Sequence, residues 1–253
     1  MNSGRLHPLL VPLAGVTGLV IGWWLLAQQV PDSILPGPGP VMDHLAAALS
    51  DATIWKDTAF TLTNVMASFL IAVVGGTLLG LWAASSPVIE RLLHPMVVVI
   101  EAAPTIAWLV LAILWLGLGA GPPILVGVSM ALPLIVIATS HGLRQIDAGL
   151  MDMAHVYRLS RWTRLTRILL PSLALTLAGA ASGALSVAWR GIIMAEAFSA
   201  SHGLGPSLWG SYLYGEINDV YAVILWIILL GLTLEYLLVH PTRKLIRRRL
   251  RHE

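Results

Sequence analysis

The sequence predicts an all-α membrane protein with about six transmembrane helices and with both termini on the cytoplasmic side. Hydrophobic residues make up 57% of the 253 residues and charged residues only 11%, whereas about 25% of a soluble domain is charged. Runs of about 20 apolar residues recur along the chain, which is the length that a helix needs to cross a bilayer. Basic residues cluster in alternate connections between these runs, as they do in cytoplasmic loops.

Six apolar runs are the candidate spans, and their length favours helices, because barrel strands need only about 10 residues and alternate in polarity. The runs cover residues 9–27, 59–84, 96–117, 122–140, 172–198 and 220–240. The first run follows Arg5, so a cleaved signal peptide is the rival interpretation. Its length of about 19 residues and the lack of an A-x-A site after it favour an uncleaved span.

Proline and glycine indicate where these spans bend and pack. Pro104 lies within the third run and is expected to kink it. Small residues repeat with G-x-x-x-G spacing in the second and fifth runs, which predicts close helix packing without a further function. These residues are Gly76, Gly80, Gly179 and Gly183.

The charge distribution fixes the predicted orientation. With the N-terminus in the cytoplasm, all basic residues except Lys56 and Arg190 fall in cytoplasmic segments, which requires an even number of spans. The predicted organisation is a first helix with an outer Pro/Gly-rich segment over 1–57, a domain with the other five spans and the connection 144–171 over 58–240, and a basic cytoplasmic tail over 241–253. We expect the tail to bind anionic lipid rather than nucleic acid.

The connection over 144–171 is basic and amphipathic, and it predicts a helix of about 20 residues that docks a cytoplasmic partner. Its residues resemble the cytoplasmic loop of the permease subunits of binding-protein-dependent ABC importers, which reads E-A-A, three residues, G, nine residues, I-x-L-P. The matching positions are Asp152, Met153, Ala154, Arg158, Ile168, Leu170 and Pro171. The spacing agrees throughout, whereas Met153 and Arg158 depart from the family's Ala and Gly.

Arg158 is the departure with a structural consequence. The family's Gly allows a tight turn between two short helices, and Arg adopts positive φ much less readily than Gly. Two alternatives follow: the turn is built differently here, or the surface that faces the ATPase has diverged.

Three further stretches are similar to the nitrate, sulfonate and taurine branch of these permeases. They are ILPGPGPVMDHL at 34–45, APTIAWLVLAILWLGLGAGPPILV at 103–126 and VAWRGIIMAEAFSASHGLGPSL at 187–208. The resemblance implies a type I importer permease fold in a bacterial cytoplasmic membrane, most simply as a homodimer. It also implies cytoplasmic ATPase subunits, an extracytoplasmic solute-binding protein, and no cofactor, metal or catalytic residue in this chain.

The resemblance further implies which residues meet the ATPase. Besides the matched positions, the coupling segment then includes Tyr157, Ser160 and Arg161, and the helix 152–165 is the one gripped. The chain lacks the G-x-x-x-x-G-K-[ST] loop that cradles phosphates, so ATP hydrolysis is expected in a separate subunit.

Charged side chains inside a bilayer are costly and therefore suggest functional sites. The candidate translocation path comprises Glu101, Pro104, Trp189, Arg190 and Glu196. Arg190 would attract a small anionic solute, such as nitrate, a sulfonate or taurine, because the planar guanidinium recognises nitrate, sulfonate or carboxylate groups in a bidentate manner. The alternative is a structural ion pair of Arg190 with Glu101 or Glu196 across helices, and Glu196 is also placed to position the outer loop SASHGLG.

Other function classes fit less well. An intramembrane serine hydrolase would need Ser and His in contact, but Ser182, His202 and His240 lie in unrelated segments. The eight His residues are scattered, which argues against a metal site. An ion-coupled secondary transporter stays open as the alternative, since such proteins also have buried charges and broken helices.

Overall fold

The computed structural model of the chain describes residues 10–146 and 148–249, and every regular element in these ranges is a helix. Arg5 and the side chains of Arg161 and of the basic tail 241–253 lie outside the described residues. The helices are α1 (Leu10–Ala27), α2 (Pro38–Ser50), α3 (Ala52–Ser85), α4 (Pro87–Ala102), α5 (Thr105–Leu116), α6 (Gly121–Arg144), α7 (Ala148–Val156), α8 (Arg161–Arg164), a π-helix (Leu165–Leu169), α9 (Leu170–Ser199), α10 (Leu204–Leu213) and α11 (Ile217–Arg249).

Polar caps set the two ends of the longest span. Asp51 precedes α3, and its carboxylate accepts a hydrogen bond from the backbone N–H of Thr53 at 2.9 Å. This bond lowers the pKa of the Asp51 carboxyl because it stabilises the charged form. At the other end, Ser86 alone separates α3 from α4, and its hydroxyl accepts from the N–H of Val88. Pro87 then occupies the first turn of α4, where its missing N–H costs no hydrogen bond.

Four helices in the described part of the chain are long and apolar enough to cross a membrane: α3, α6, α9 over Thr176–Ser199 and α11 over Ile217–Leu237. The pair α4 and α5 makes a fifth if it is counted as one span, and α1 is a shorter apolar helix. The all-α membrane architecture is thus confirmed. The count of six spans and the orientation of the termini stay predictions.

The third predicted span, 96–117, is wrong as a single helix. It divides into α4 and α5, whose axes differ by 98°. Ala103 has an extended backbone with ψ of 131°, because the ring of the following proline disfavours helical geometry at the residue before it. Pro104 therefore ends one helix and begins another, which is a larger effect than the kink predicted from the sequence.

α6 is the central helix of the bundle and packs against both α3 and α9, which also contact each other. The contact with α3 is close because glycines face α6. A Cβ atom at Gly76 would lie 2.8 Å from Cβ of Ile135, and one at Gly80 would lie 2.5 Å from Cβ of Thr139. The predicted G-x-x-x-G packing is confirmed for this pair, which lets the backbones of the two helices approach.

α2 and α10 are short helices that pack against the long ones. Val41 and Leu45 of α2 are buried beside Ala222 of α11. His44 of α2 also meets Asp219 of α11, with Nδ1 and Oδ1 2.7 Å apart. α2 is therefore held to the N-terminal end of α11 by both apolar and polar contacts.

Glycine substitutions in α3 test the packing against α6. Gly80→Ala should lower the free energy of unfolding by about 1–3 kcal/mol, because the new methyl group collides with Thr139 and with the Val136 backbone. Gly75→Ala is the matched control in the same helix, since its Cβ would meet only Leu132 Cδ1 at an ordinary 3.8 Å. Thermal unfolding in detergent measures both variants, and equal losses would contradict the proposed role of the close approach.

Candidate functional site

The coupling segment folds into two short helices followed by a π-helix. α7 ends at Val156, and α8 begins at Arg161. The predicted continuous helix over 152–165 is therefore wrong, because residues 157–160 form a turn between two helices. The π-helix Leu165–Leu169 then leads without a gap into α9. A partner that moves the turn would act on α9 through this short connection.

The turn after α7 is a left-handed helix cap with arginine in the position that usually holds glycine. Arg158 has φ of 49°, the one positive φ of a non-glycine residue in the part of the chain that the structure describes. Its N–H donates to the carbonyl of His155 at 3.0 Å, and the N–H of Leu159 donates to the carbonyl of Ala154 at 3.0 Å. These two bonds define a Schellman motif. Of the two alternatives for Arg158, the structure shows a tight left-handed turn formed without glycine.

Polar contacts fix α8 against α7. The Ser160 hydroxyl accepts from the N–H of Thr163 at 3.1 Å and so caps α8. Arg164 Nη2 donates to the carbonyl of Ala154 at 3.3 Å. Ala154 and Ile168 are buried, at 0% and 7% exposure. Of the family-matched apolar residues, Ala154 and Ile168 thus anchor the segment, whereas Leu170 and Pro171 are exposed.

The other described residues of the predicted coupling segment face outward. Exposed side chains are those of Asp152, Met153, Tyr157, Arg158, Ser160, Leu170 and Pro171. Two large apolar residues that the sequence analysis passed over, Val156 and Trp162, are exposed at 78% and 72%. An apolar residue beside His155 and a Trp within the basic run RLSRWTR could have indicated them. We call Met153, Val156, Tyr157 and Trp162 the coupling patch.

α9 carries a second outward surface, which we call the α9 face: Gly179, Gly183, Arg190 and Met194. These residues recur at helical spacing and all are exposed. A Cβ atom at Gly179 or Gly183 would meet nothing within 4 Å. The predicted packing of this glycine pair is therefore wrong within one chain, because no helix among residues 10–146 and 148–249 covers this face.

A cavity of about 200 Å³ opens at the break between α4 and α5. Its lining residues are Ile100, Glu101, Ala103, Thr105, Trp108, Ser129, Met130, Leu134 and Val187. Pro104 precedes α5 at the break between the two helices, beside this cavity. Glu101 from the predicted path lines it, and Val187 brings α9 to its wall.

Arg190 and Glu101 form no ion pair with each other or with another residue in the described ranges. Arg190 Nε donates to the backbone carbonyl of Ser186 in its own helix at 3.2 Å. The Arg190–Glu196 pair considered from the sequence is also wrong, because both carboxylate oxygens of Glu196 have other partners. Arg190 thus keeps most of its five N–H donors for another group.

Two residues of the predicted path lie inside the bundle. Trp189 is buried, and its Nε1 sits 2.9 Å from where a Cβ atom of Gly231 in α11 would lie. Glu196 is fully buried at 0% exposure. Its oxygens accept from the Thr61 hydroxyl at 2.7 Å and from Asn64 Nδ2 at 2.8 Å. Neither side chain reaches the cavity or the α9 face in this chain.

The buried polar residues around Glu196 hold the outer loop after α9. Thr61 also accepts from the N–H of Leu204 at 2.9 Å, and Asp57 accepts from the N–H of Gly203 at 3.0 Å and from the Ser207 hydroxyl at 2.6 Å. The carboxylates thus satisfy backbone donors at the start of α10. Asp57, Thr61 and Asn64 were missed, although their spacing along one face of α3 in an apolar helix indicates them.

Chemical groups for catalysis or metal binding are sparse. Within residues 10–146 and 148–249, no group of three or more His, Cys, Asp or Glu side chains is placed to hold a metal ion. Ser182, considered for a hydrolase, donates to Glu235 at 3.4 Å rather than to a histidine. The described residues offer an exposed apolar patch, a cavity and an exposed helix face.

Substitutions at Arg158 test the left-handed turn. Arg158→Gly should raise the free energy of unfolding by about 1 kcal/mol, because positive φ is strained for residues with a Cβ atom. Arg158→Val should lower it by a similar amount, since a β-branched side chain fits this conformation worse. Thermal unfolding of the purified variants measures both, and a loss of stability in Arg158→Gly would contradict the assigned conformation.

The sequence matches the family model described as "Binding-protein-dependent transport system inner membrane component" over residues 76–252. Similar curated proteins include a glycine betaine/carnitine transport permease of Listeria monocytogenes, 28% identical over 68% of this chain and 64% of that protein. The chain thus spans less than two thirds of the Listeria protein. The taurine permease TauC of Escherichia coli is 28% identical over 85% of this chain and 82% of its own length. The bicarbonate permease CmpB of Synechococcus elongatus is 26% identical over 96% and 91%.

The fold is also found among solved structures. A chain of the MetNI methionine ABC transporter in an inward-facing conformation superposes with a TM-score of 0.59 at 23% identity, covering 83% of this chain and 97% of that chain. This likeness confirms the helical permease fold. Since the family model covers more than half of the sequence, the chain belongs to the family of binding-protein-dependent transport system inner membrane components and is a multi-pass permease component of an ABC importer.

Proposed function

We propose that this permease forms a homodimer in a bacterial cytoplasmic membrane, takes solute from an extracytoplasmic binding protein and is driven by two separate cytoplasmic ATPase subunits. The observation that carries the proposal is the coupling patch. The neighbouring side chains of Val156 and Tyr157 are each more than 70% exposed, and their exposure to water does not stabilise the fold. A partner that covers them removes this apolar area from water.

The coupling segment has the features of a docking element. The buried Ala154 and Ile168 fix it to the rest of the chain, while the Schellman turn presents Tyr157 and Arg158 at its tip. An exposed aromatic next to an arginine is the combination that dominates the energy of many interfaces. Because the π-helix connects the segment directly to α9, a movement imposed at the turn would reach the helix that carries Arg190.

The α9 face supports the proposed second copy. Small residues at Gly179 and Gly183 let two helix backbones approach in a membrane. A path between two copies would place Arg190 of each chain beside it. Glu101, Pro104 and Arg190 remain the proposed path residues, while Trp189 and Glu196 serve the interior of the bundle.

A matched pair of valines tests the docking role of the coupling patch. Val156→Asp should reduce co-purification of the cognate ATPase subunit and ATP-dependent uptake by about tenfold or more, because a charge at the centre of an interface removes a major contact. Val88→Asp is the control, since Val88 is exposed to a similar 73% at the start of α4, outside the patch. Equal effects of the two variants, or unchanged ATPase capture in Val156→Asp, would contradict the proposal.

Cysteine cross-linking tests the homodimer, because the chain contains no cysteine. Gly183→Cys should form a covalent dimer on mild oxidation of membranes, since two copies that meet at the α9 face bring these residues within about 7 Å. Leu232→Cys is the control, at an exposed position on α11 and outside the α9 face. Cross-linking at residue 232 and none at 183 would place the contact between copies elsewhere.

A further inference from the structure

Arg158 is a charged residue in a backbone conformation that favours glycine. Its φ of 49° lies in the left-handed region, where a residue with a Cβ atom is strained. Elsewhere in residues 10–146 and 148–249 the chain uses glycine for every positive φ, at Gly117, Gly119, Gly203 and Gly215. The turn after α7 therefore keeps an arginine at a conformational cost that the chain avoids in its other turns.

The side chain of Arg158 does not hold the turn. The two hydrogen bonds of the Schellman motif join backbone groups only, and a glycine at this position would form the same bonds. The Arg158 side chain is exposed, and it forms no ion pair with a residue in the ranges that the structure describes. No contact within these ranges offsets the strain, and strain of this kind is concentrated at functional sites.

The Arg158 guanidinium is attached next to the apolar side chains of the coupling patch. Val156 and Tyr157 directly precede it and are exposed at 78% and 74%, and Trp162 is exposed at 72%. A partner that covers these three side chains also removes water from the neighbouring charge. An opposite charge on the partner is then needed to compensate the lost hydration.

Positive charge predominates around the turn. Residues 148–171 contain four arginines and a single carboxylate, that of Asp152. Arg164 is half-buried and already donates to the carbonyl of Ala154, and Arg167 lies beyond α8 in the π-helix. Arg158 is thus the cation at the tip of the turn, and a surface that fits the tip carries negative charge.

We propose that Arg158 is a specificity-determining residue, which pairs with an acidic side chain on the cognate ATPase subunit. This inference rests on the proposed function, because it requires an ATPase at the coupling patch. A guanidinium binds a carboxylate through two parallel hydrogen bonds. An ATPase without the acidic group leaves Arg158 unpaired at the interface, and one with a basic group there repels it, so the pair selects among partners.

The variant Arg158→Gly separates this docking role from a purely structural one. Glycine relieves the strained φ, so the turn becomes more stable. We expect the affinity of the purified full-length permease for the ATPase subunit to fall by about 10-fold to 100-fold, as for the loss of a bond between charged groups. Thermal unfolding and the Kd are measured on the same preparation. An unchanged or tighter Kd overturns the proposal.

The sign of the charge supplies a second test. Arg158→Lys should bind the ATPase more tightly than Arg158→Gly does, and Arg158→Glu should bind more weakly than both, because it places like charges together. Arg91→Glu is the control, since Arg91 is an exposed arginine of α4 outside the coupling patch. Equal losses in Arg91→Glu and Arg158→Glu would show attraction by total charge alone and would overturn the specific pair.

A charge swap identifies the partner group. Acidic residues on the ATPase surface are replaced by arginine one at a time and combined with Arg158→Glu in the assembled transporter. We expect one replacement to restore ATP-dependent uptake, while the same replacement impairs the wild-type permease. If no replacement restores uptake, the proposed pair is rejected.

Two further results separate the alternatives. If Arg158→Gly leaves the Kd unchanged and lowers ATP hydrolysis only in phosphatidylglycerol vesicles, not in phosphatidylcholine vesicles, then Arg158 contacts anionic lipid and the proposal is overturned. Loss of ATPase capture in Val156→Asp but not in Arg158→Gly leaves the proposed function standing and rejects only this inference. Unchanged capture in both variants rejects the proposed function as well.

Discussion

The close packing of α6 between α3 and α9 is the interaction on which the other features depend. Helices in a bilayer gain little from apolar burial against each other, so van der Waals contact between small residues must hold them. Gly76 and Gly80 of α3 leave room for α6, and Gly191 of α9 leaves room for Met130. This packing sets one face of α9 against α6, leaves Gly179, Gly183 and Arg190 exposed, and places Val187 at the cavity.

The charged groups on the membrane helices fall into two kinds, buried and exposed. Glu196 and Asp57 are surrounded by donors from Thr61, Asn64 and the start of α10, so their cost of burial is met within the chain. Arg190 and Glu101 have few internal partners or none and border a cavity or an uncovered face. Because a charge without partners is unfavourable in a bilayer, the first kind is satisfied within the fold, and the second kind is the one assigned to the path in the proposed function.

The coupling segment joins the exposed coupling patch to α9 over a short distance. Two backbone hydrogen bonds hold its turn. The buried side chains of Ala154 and Ile168 pack it against the rest of the chain, and the π-helix connects it to α9. A rigid element of this kind can pass on a displacement without unfolding. Arg158 shows that two backbone hydrogen bonds hold this left-handed turn without a glycine. Its side chain is exposed.

The sequence by itself determined the membrane class, the helical nature of the spans, the family and the place of the coupling segment. Each of these follows from composition, from hydrophobic periodicity or from the spacing of residues that are close in sequence. The sequence also indicated that Gly76 and Gly80 pack closely, but it could not separate them from Gly179 and Gly183, since the spacing is the same. Only the tertiary structure decided that the first pair faces α6 and the second faces outward. It likewise decided that Pro104 divides a predicted span into two helices whose axes differ by 98°. It also decided that the Glu196 carboxylate has side-chain partners inside the bundle, whereas Arg190 contacts only a backbone carbonyl of its own helix. These outcomes depend on which helix lies opposite each residue, and that is a property of the packed bundle.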